Sequence, residues 1–111
     1  MTKVVYNQCF GGFSLSDKAV RRYGELKGVE ILSEGTYYYV EDGRRNYFWY
    51  WDIERDDPAL VRVVEEMGEE ADGRYADLVV VDIPAGTRYR IQEYDGREWI
   101  ETEDEIDWRV A

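Results

Sequence analysis

Histidine is missing altogether from the 111 residues. That absence excludes Ser-His and Cys-His nucleophile pairs, histidine metal ligands and the usual general base at neutral pH. Cysteine occurs once, at Cys9, which excludes an intramolecular disulfide and fits a reducing compartment. No run approaches the ~20 apolar residues of a membrane span, and the opening MTKVVYNQCF lacks a hydrophobic signal segment. Prolines are confined to Pro58 and Pro84. No Pro/Ser-rich linker, internal repeat or low-complexity tract divides the chain. The expectation is a soluble, cytoplasmic, single domain over residues 1–111. At 13.2 kDa it is long enough to bury roughly 60–70% of its unfolded surface.

Acid and aromatic rings are plentiful. Asp and Glu number 25 against 14 Lys and Arg, a net charge of −11, and aromatics make up 15% of the chain. Duplex nucleic acid demands a basic face, so direct DNA or RNA binding is not expected. Residues 52–72 carry nine acidic and two basic groups, and residues 93–107 eight and one. Such runs are commonly solvated faces. The sharper reading is an acidic surface that meets a basic protein. Eleven of the basic residues are Arg and three are Lys, a bias toward the planar fork that pairs with carboxylates and phosphates.

Periodicity gives the order β-α-β-β-β-α-β-β-β, an α+β fold with a mostly antiparallel sheet, two hairpins and two packed helices. Val4 to Tyr6 starts a strand. Ser14 or Ser16 caps a helix carrying Ala19, Val20, Tyr23 and Leu26, and Gly28 ends it. Asp57-Pro58 opens the second helix as N-cap and N1. Its apolar stripe is Leu60, Val63, Val64, Met67 and Ala71, and Gly73 is the predicted stop. Leu78 to Val81 reads as a strand buried on both faces. Asp42-Gly43 between residues 36–40 and 47–51, and Asp95-Gly96 between residues 87–94 and 97–102, are type I′ hairpin turns. A two-residue turn puts Ile91 opposite Ile100 and Arg90 opposite Glu101. It also sets Glu93 against Glu98, a conflict left to solvent or Arg97. The tail with Asp104, Glu105, Asp107 and Trp108 has no clear pattern.

Three strings, YNQCFGGFSLS (Tyr6 to Ser16), RDDPALVRVVEEMGEEADGRYADL (Arg55 to Leu78) and YRIQEYDGREWIE (Tyr89 to Glu101), resemble a family of small accessory proteins of tailed bacteriophages. They cover well over half of the chain. Where this chain has its aromatic hairpin, the family members it resembles often carry a longer, more polar insertion. The family has no assigned activity, so the resemblance implies an origin, a phage accessory gene, and not a mechanism. Small phage accessory proteins without enzyme motifs often disable a host antiviral defence, so the expectation is an anti-defence protein acting in the host cytoplasm.

Several groups of residues could carry a function. Cys9, Gly11, Gly12 and Ser14 precede a helix N-terminus, where outward N–H groups attract anions, with Ser16, Arg21 or Arg22 in support. The plain alternative is a sharp turn needing positive φ, with Cys9 as a packed structural thiol. In the aromatic hairpin, Tyr37, Tyr39, Phe48 and Tyr50 face away from Tyr38, Tyr47, Trp49 and Trp51. One set packs on the core. The other is free for a ligand that stacks, or for a second subunit. Arg44, Arg45, Arg88 and Arg90 are candidate phosphate partners, or else cross-strand ion pairs. Asp52, Glu54, Asp56 and Asp57 lack the spacing of a calcium loop.

These residues support two functions, neither catalytic and neither needing a cofactor or metal. The first is sequestration of a nucleotide-derived defence signal by the Gly11-Gly12 loop together with the rings of Tyr47, Trp49 and Trp51. The second is an acidic mimic of nucleic acid that inhibits a basic host defence nuclease of the CRISPR or restriction type. Glu65, Glu66, Glu69 and Glu70 would then form its face over two helical turns.

Overall fold

The computed structural model describes residues 2–34 and 36–102; of Trp51 the main chain alone belongs to that set. Its elements are β1 (Thr2–Asn7), α1 (Asp17–Lys27), β2 (Leu32–Ser33), β3 (Tyr37–Glu41), β4 (Arg44–Phe48), α2 (Pro58–Met67), β5 (Leu78–Ile83), β6 (Tyr89–Tyr94) and β7 (Arg97–Thr102). Short 3-10 turns follow β4, at Tyr50–Asp52, and α2, at Gly68–Ala71. This is the α+β order expected. Asp104, Glu105, Asp107, Trp108 and the Trp51 side chain lie outside the described residues.

Both helices begin where their caps predict. Ser16 Oγ accepts the Ala19 N–H at 3.1 Å, and Asp57 Oδ1 accepts that of Ala59 at 2.9 Å. Gly28, at φ 79°, closes α1 by donating to Glu25. The end of α2 differs from expectation. Gly68 at φ 57° and ψ −129° breaks the right-handed spiral five residues before Gly73. The next turn is then tied to the segment before α1: Ser16 N–H donates to the Ala71 carbonyl, and Gly73 N–H to that of Ser14. Ala71 stays in the core, delivered by a 3-10 turn instead of an α-helix.

α1 and α2 pack on each other and, with one face of β1–β5, close a core of Val5, Ala19, Val20, Leu60, Val61, Val63, Val64 and Leu78. Val61 joins it although it lies off the predicted stripe. Each fully buried aliphatic side chain here contributes roughly 1.5–3 kcal/mol.

Every ladder is antiparallel, but the strands divide among three small sheets, β1–β5, β2–β3–β4 and β6–β7. Periodicity identifies strands and not their neighbours, so this division adds to the expected α+β class and does not alter it. The strand β5 is not buried on both faces as expected: Leu78 is in the core and Val80 packs against it, but Val79, Val80 and Val81 are each half-buried, so neither face is fully covered.

Both hairpins hold their predicted turns and registers, including Ile91 with Ile100 and Arg90 with Glu101. The aromatic strand is shorter than expected. It stops at Phe48, and Trp49 leads into the 3-10 turn, where buried Ile53 draws the chain toward α2. Trp49 and the main chain of Trp51 therefore lie beyond the end of the strand.

Candidate functional site

The Gly11-Gly12 loop is packed against other parts of the chain. Asn7, fully buried, donates from Nδ2 to the carbonyls of Cys9 and Gly96 at 2.7 and 2.9 Å. Its Oδ1 accepts from the N–H groups of Cys9 and Asp77. A side chain on Gly11 would strike the main chain and Cβ of Tyr75. Gly12, at φ 90°, has open space around it. The turn of the β6–β7 hairpin closes over the loop, so that a Cβ on Gly96 would meet the Phe10 carbonyl and Gly12 N–H. Ser14 backs against Gly73. The N-terminus of α1 is filled as well. Ser16 Oγ caps it, Asp17 occupies its first turn, and Arg21 is bound to Asp17 at 3.0 Å. Arg22 turns to Glu25 and Glu66.

The aromatic hairpin has the two faces its alternation requires. Tyr37 and Phe48 face the core, with the Phe48 ring 5.6 Å from that of Tyr23. Burial raises the Tyr37 hydroxyl above its ordinary value, and Asp17 adds to this by charge and hydrogen bond. On the other face are Tyr38, Val40, Arg45 and Tyr47. The Arg45 guanidinium lies 4.3 Å from the centre of the Tyr38 ring and 2.9 Å from Glu34. Tyr47 is 61% exposed, and Trp49 36%.

Among the described residues, those singled out for a ligand do not come together as one site. Tyr50 of the segment after β4 meets Phe13 at 6.3 Å between ring centres, which is where loop and hairpin touch. Arg44 is exposed on β4. Arg90 belongs to the other hairpin, in a separate sheet, and is bound to Glu101 at 2.8 Å, while Arg88 precedes β6 outside the sheet. Cys9, Gly11 and Gly12 adjoin Tyr75 and Gly96 instead of the rings of β4.

One cluster escaped the sequence reading. Arg55 grips both Glu98 oxygens at 2.6 and 2.7 Å, lies 3.7 Å over the Phe13 ring, and offers its carbonyl to Val5 N–H. Glu98 Oε1 also accepts the Asn7 N–H at 2.9 Å. The hairpin conflict is thereby resolved. Glu98 turns inward to Arg55, while Glu93 bends back to accept the Gly96 N–H at 2.7 Å. The signal for Glu98 was its register, which puts it on the face of Ile100. Nothing local pointed to Arg55 as its partner.

The four glutamates expected on one helical face separate into two pairs. Glu65 holds Lys3 at 2.8 Å. Glu66 is gripped by Arg22 and Arg62, whose hydrogen bonds bring its carboxyl down to about 2. Glu69 and Glu70 stand exposed on the 3-10 turn without an ion pair among the described residues. Beside them, burial raises the Asp72 carboxyl, helped by the nearby charges of Asp77 and Glu69 and opposed by its bond from Leu78 N–H. The uncompensated acid thus sits at the start of β5, not on α2.

Among the described residues, no group of His, Cys, Asp or Glu is arranged to hold a metal ion, and no helix is long and apolar enough to cross a membrane. No protein-family model, curated protein or solved structure is significantly similar to the chain.

Proposed function

We propose that this protein is a non-catalytic binding module that antagonises a host antiviral defence by docking on a basic host protein, such as a CRISPR or restriction nuclease. The observation that carries the reading is the placement of the acid. Glu69 and Glu70 are exposed and unpaired among the described residues, and Asp72, whose carboxyl is raised chiefly by burial, lies within electrostatic reach of both Asp77 and Glu69. Like charges held together at a surface favour a positively charged partner and speed its encounter. The phage setting is supported by the YNQCFGGFSLS, RDDPALVRVVEEMGEEADGRYADL and YRIQEYDGREWIE resemblance.

Sequestration of a nucleotide-derived signal has less support. The α1 N-terminus already has its cap and an acid in its first turn. The loop meets the β6–β7 turn, while the outward rings of Tyr38 and Tyr47 lie on a different hairpin.

The test is a double reversal, Glu69→Lys with Glu70→Lys, scored by phage plaque counts on a defence-bearing host and by circular dichroism. The expected result is an intact fold and at least about a tenfold loss of anti-defence activity. Full activity in the folded variant would reject the reading. Reversing Glu65 and Glu66 is a poorer experiment, because it also breaks the bonds to Lys3, Arg22 and Arg62.

A further inference from the structure

The β1–β5 ladder fixes which way each main-chain group of β5 points. Val5 N–H donates to the Arg55 carbonyl and Asn7 N–H to Glu98, so the odd residues of β1 face away from β5. The even ones, Val4 and Tyr6, pair with Val81 and Val79. Leu78, Val80 and Asp82 therefore direct their N–H and C=O groups to the far side. Leu78 N–H is taken by the Asp72 carboxylate at 3.0 Å. Val80 and Asp82 have no main-chain partner there among the described residues. Two successive rungs of a ladder stand open.

Other strand edges carry their own protection. β4 begins Arg44-Arg45-Asn46, with the Asn46 amide folded onto the Arg44 carbonyl, and β6 carries Arg90 and Glu93. Charged and polar residues along an edge discourage a further strand. β5 carries a single charged residue, Asp82, after the uncharged and half-buried run Val79-Val80-Val81. Beside the C-terminal end of β5 lies a cleft of about 410 Å³ walled by Tyr6, Val81, Ile83, Trp99 and Ile100, with room for an apolar side chain.

Charge decides the occupant. Asp77 and Asp82 are exposed at the two ends of the strand, with Glu69 and Asp72 beside the first. Lys3, opposite Asp82 in the ladder, is bound to Glu65. A second copy of a chain with net charge −11 would bring acid to acid at this edge. We propose that β5 accepts an extended, lysine- or arginine-bearing segment of a protein partner as an added strand. Its main chain pairs with Val80 and Asp82, a basic residue lies by Asp77 or Asp82, and an apolar one enters the cleft. The inference rests on the basic-partner reading and adds the manner of engagement.

The experiment uses the full chain and two labelled eight-residue peptides, one alternating lysine with valine and one alternating glutamate with valine. Fluorescence anisotropy at low salt measures affinity, and amide hydrogen exchange reads the site. The lysine peptide is expected to bind about tenfold or more tighter than the glutamate peptide, and to protect the Val80 and Asp82 amides. Val80→Pro deletes one outward donor and should abolish binding. Asp82→Lys, at an exposed side chain, should weaken it about tenfold and covers the case in which the proline variant does not fold. No binding, equal affinity for both peptides, or unchanged exchange at Val80 and Asp82 overturns the proposal. Self-association that protects those amides without peptide overturns it in favour of a second copy. Failure of the peptide while the Glu69/Glu70 reversal still abolishes anti-defence activity removes the added strand alone. Strand binding in a protein whose reversal keeps full activity removes the defence-partner reading alone.

Discussion

The hairpins β3–β4 and β6–β7 are closed by the same dipeptide in nearly the same conformation, Asp42 and Asp95 both at φ 52°, Gly43 at 74° and Gly96 at 89°. Their surroundings differ. Gly43 has open space around it, whereas Gly96 is pressed against the main chain of Phe10 and Gly12. The first hairpin shows solvent a face of Tyr38, Arg45 and Tyr47. The second turns Glu98 inward to Arg55 and Asn7. Turn chemistry selects a hairpin and its register, but what the hairpin touches is settled by residues far away in sequence. One hairpin is joined to the fold through a buried polar network. The other lies on the core through Tyr37 and Phe48, with Tyr38 and Tyr47 on its opposite face.

The sharpest way to break this comparison is to remove one carboxylate from each hairpin's ion pair. Glu98→Ala leaves the Arg55 guanidinium, with a side chain 16% exposed, and the Asn7 N–H without their partner. The expected loss is about 3–5 kcal/mol. Glu34→Ala removes the Arg45 partner where both side chains are more than half exposed, and should cost at most about 1 kcal/mol. Urea midpoints decide between them, and equal losses would mean that the buried network does not join the second hairpin to the fold.

The glycines come next. Gly43→Ala should cost about 1 kcal/mol, from positive φ alone. Gly96→Ala adds a clash with main chain, which cannot swing aside, so about 2–4 kcal/mol is expected. Similar thermal midpoints for the two variants would show that the loop at Phe10 yields easily.

Legibility in the sequence tracks the reach of each signal. Asp57-Pro58, Ser16 and Gly28 act within a few residues, and their helix ends stand where predicted. Register is also local once the turn is known, so Ile91 meets Ile100. Gly73 misled because Gly68, nearer in the chain, breaks the helix first, and tertiary bonds to Ser14 and Ser16 hold the 3-10 turn beyond it. The division into three sheets and the meeting of Arg55 with Glu98 depend on long-range packing that no window reveals. The expected ligand site failed to assemble for the same reason: its loop and its rings were each identified, but their distance depended on sheet order.

Acid offers a gentler comparison. Glu101 of the second hairpin is held below the ordinary carboxylate value by hydrogen bonds from Arg90 and Trp99. A depressed folded value means that its stabilising contribution is complete above the unfolded value near 4.5 and is lost as pH falls through the lowered one. A carboxyl carbon titration of Glu101 by NMR should show a midpoint below 4.5 in the wild type. In Arg90→Ala the midpoint should move upward, and an unmoved midpoint would remove Arg90 as the cause.

The smallest stability effect belongs to the outer face of the first hairpin, where Arg45→Ala separates two roles. The guanidinium stacks on Tyr38 at 4.3 Å and bonds to an exposed Glu34. Its loss should cost about 0.5–1 kcal/mol in folding, since an exposed cation–π contact is weak and the ion pair is screened by solvent. A larger loss would make the face a structural part of the hairpin, comparable with the Arg55–Glu98 side of the second. If this face is also a contact between copies, the same variant should shift the sedimentation coefficient toward that of a monomer while the urea midpoint barely moves. Tyr47→Ser, at the 61% exposed neighbour, should shift it the same way. Tyr and Arg anchors are costly to lose in an interface and nearly neutral in the free protein, so a change in association without a change in stability is the signature of a surface used for contact. Sedimentation unaltered by both substitutions leaves the outer rings with no part in association between copies.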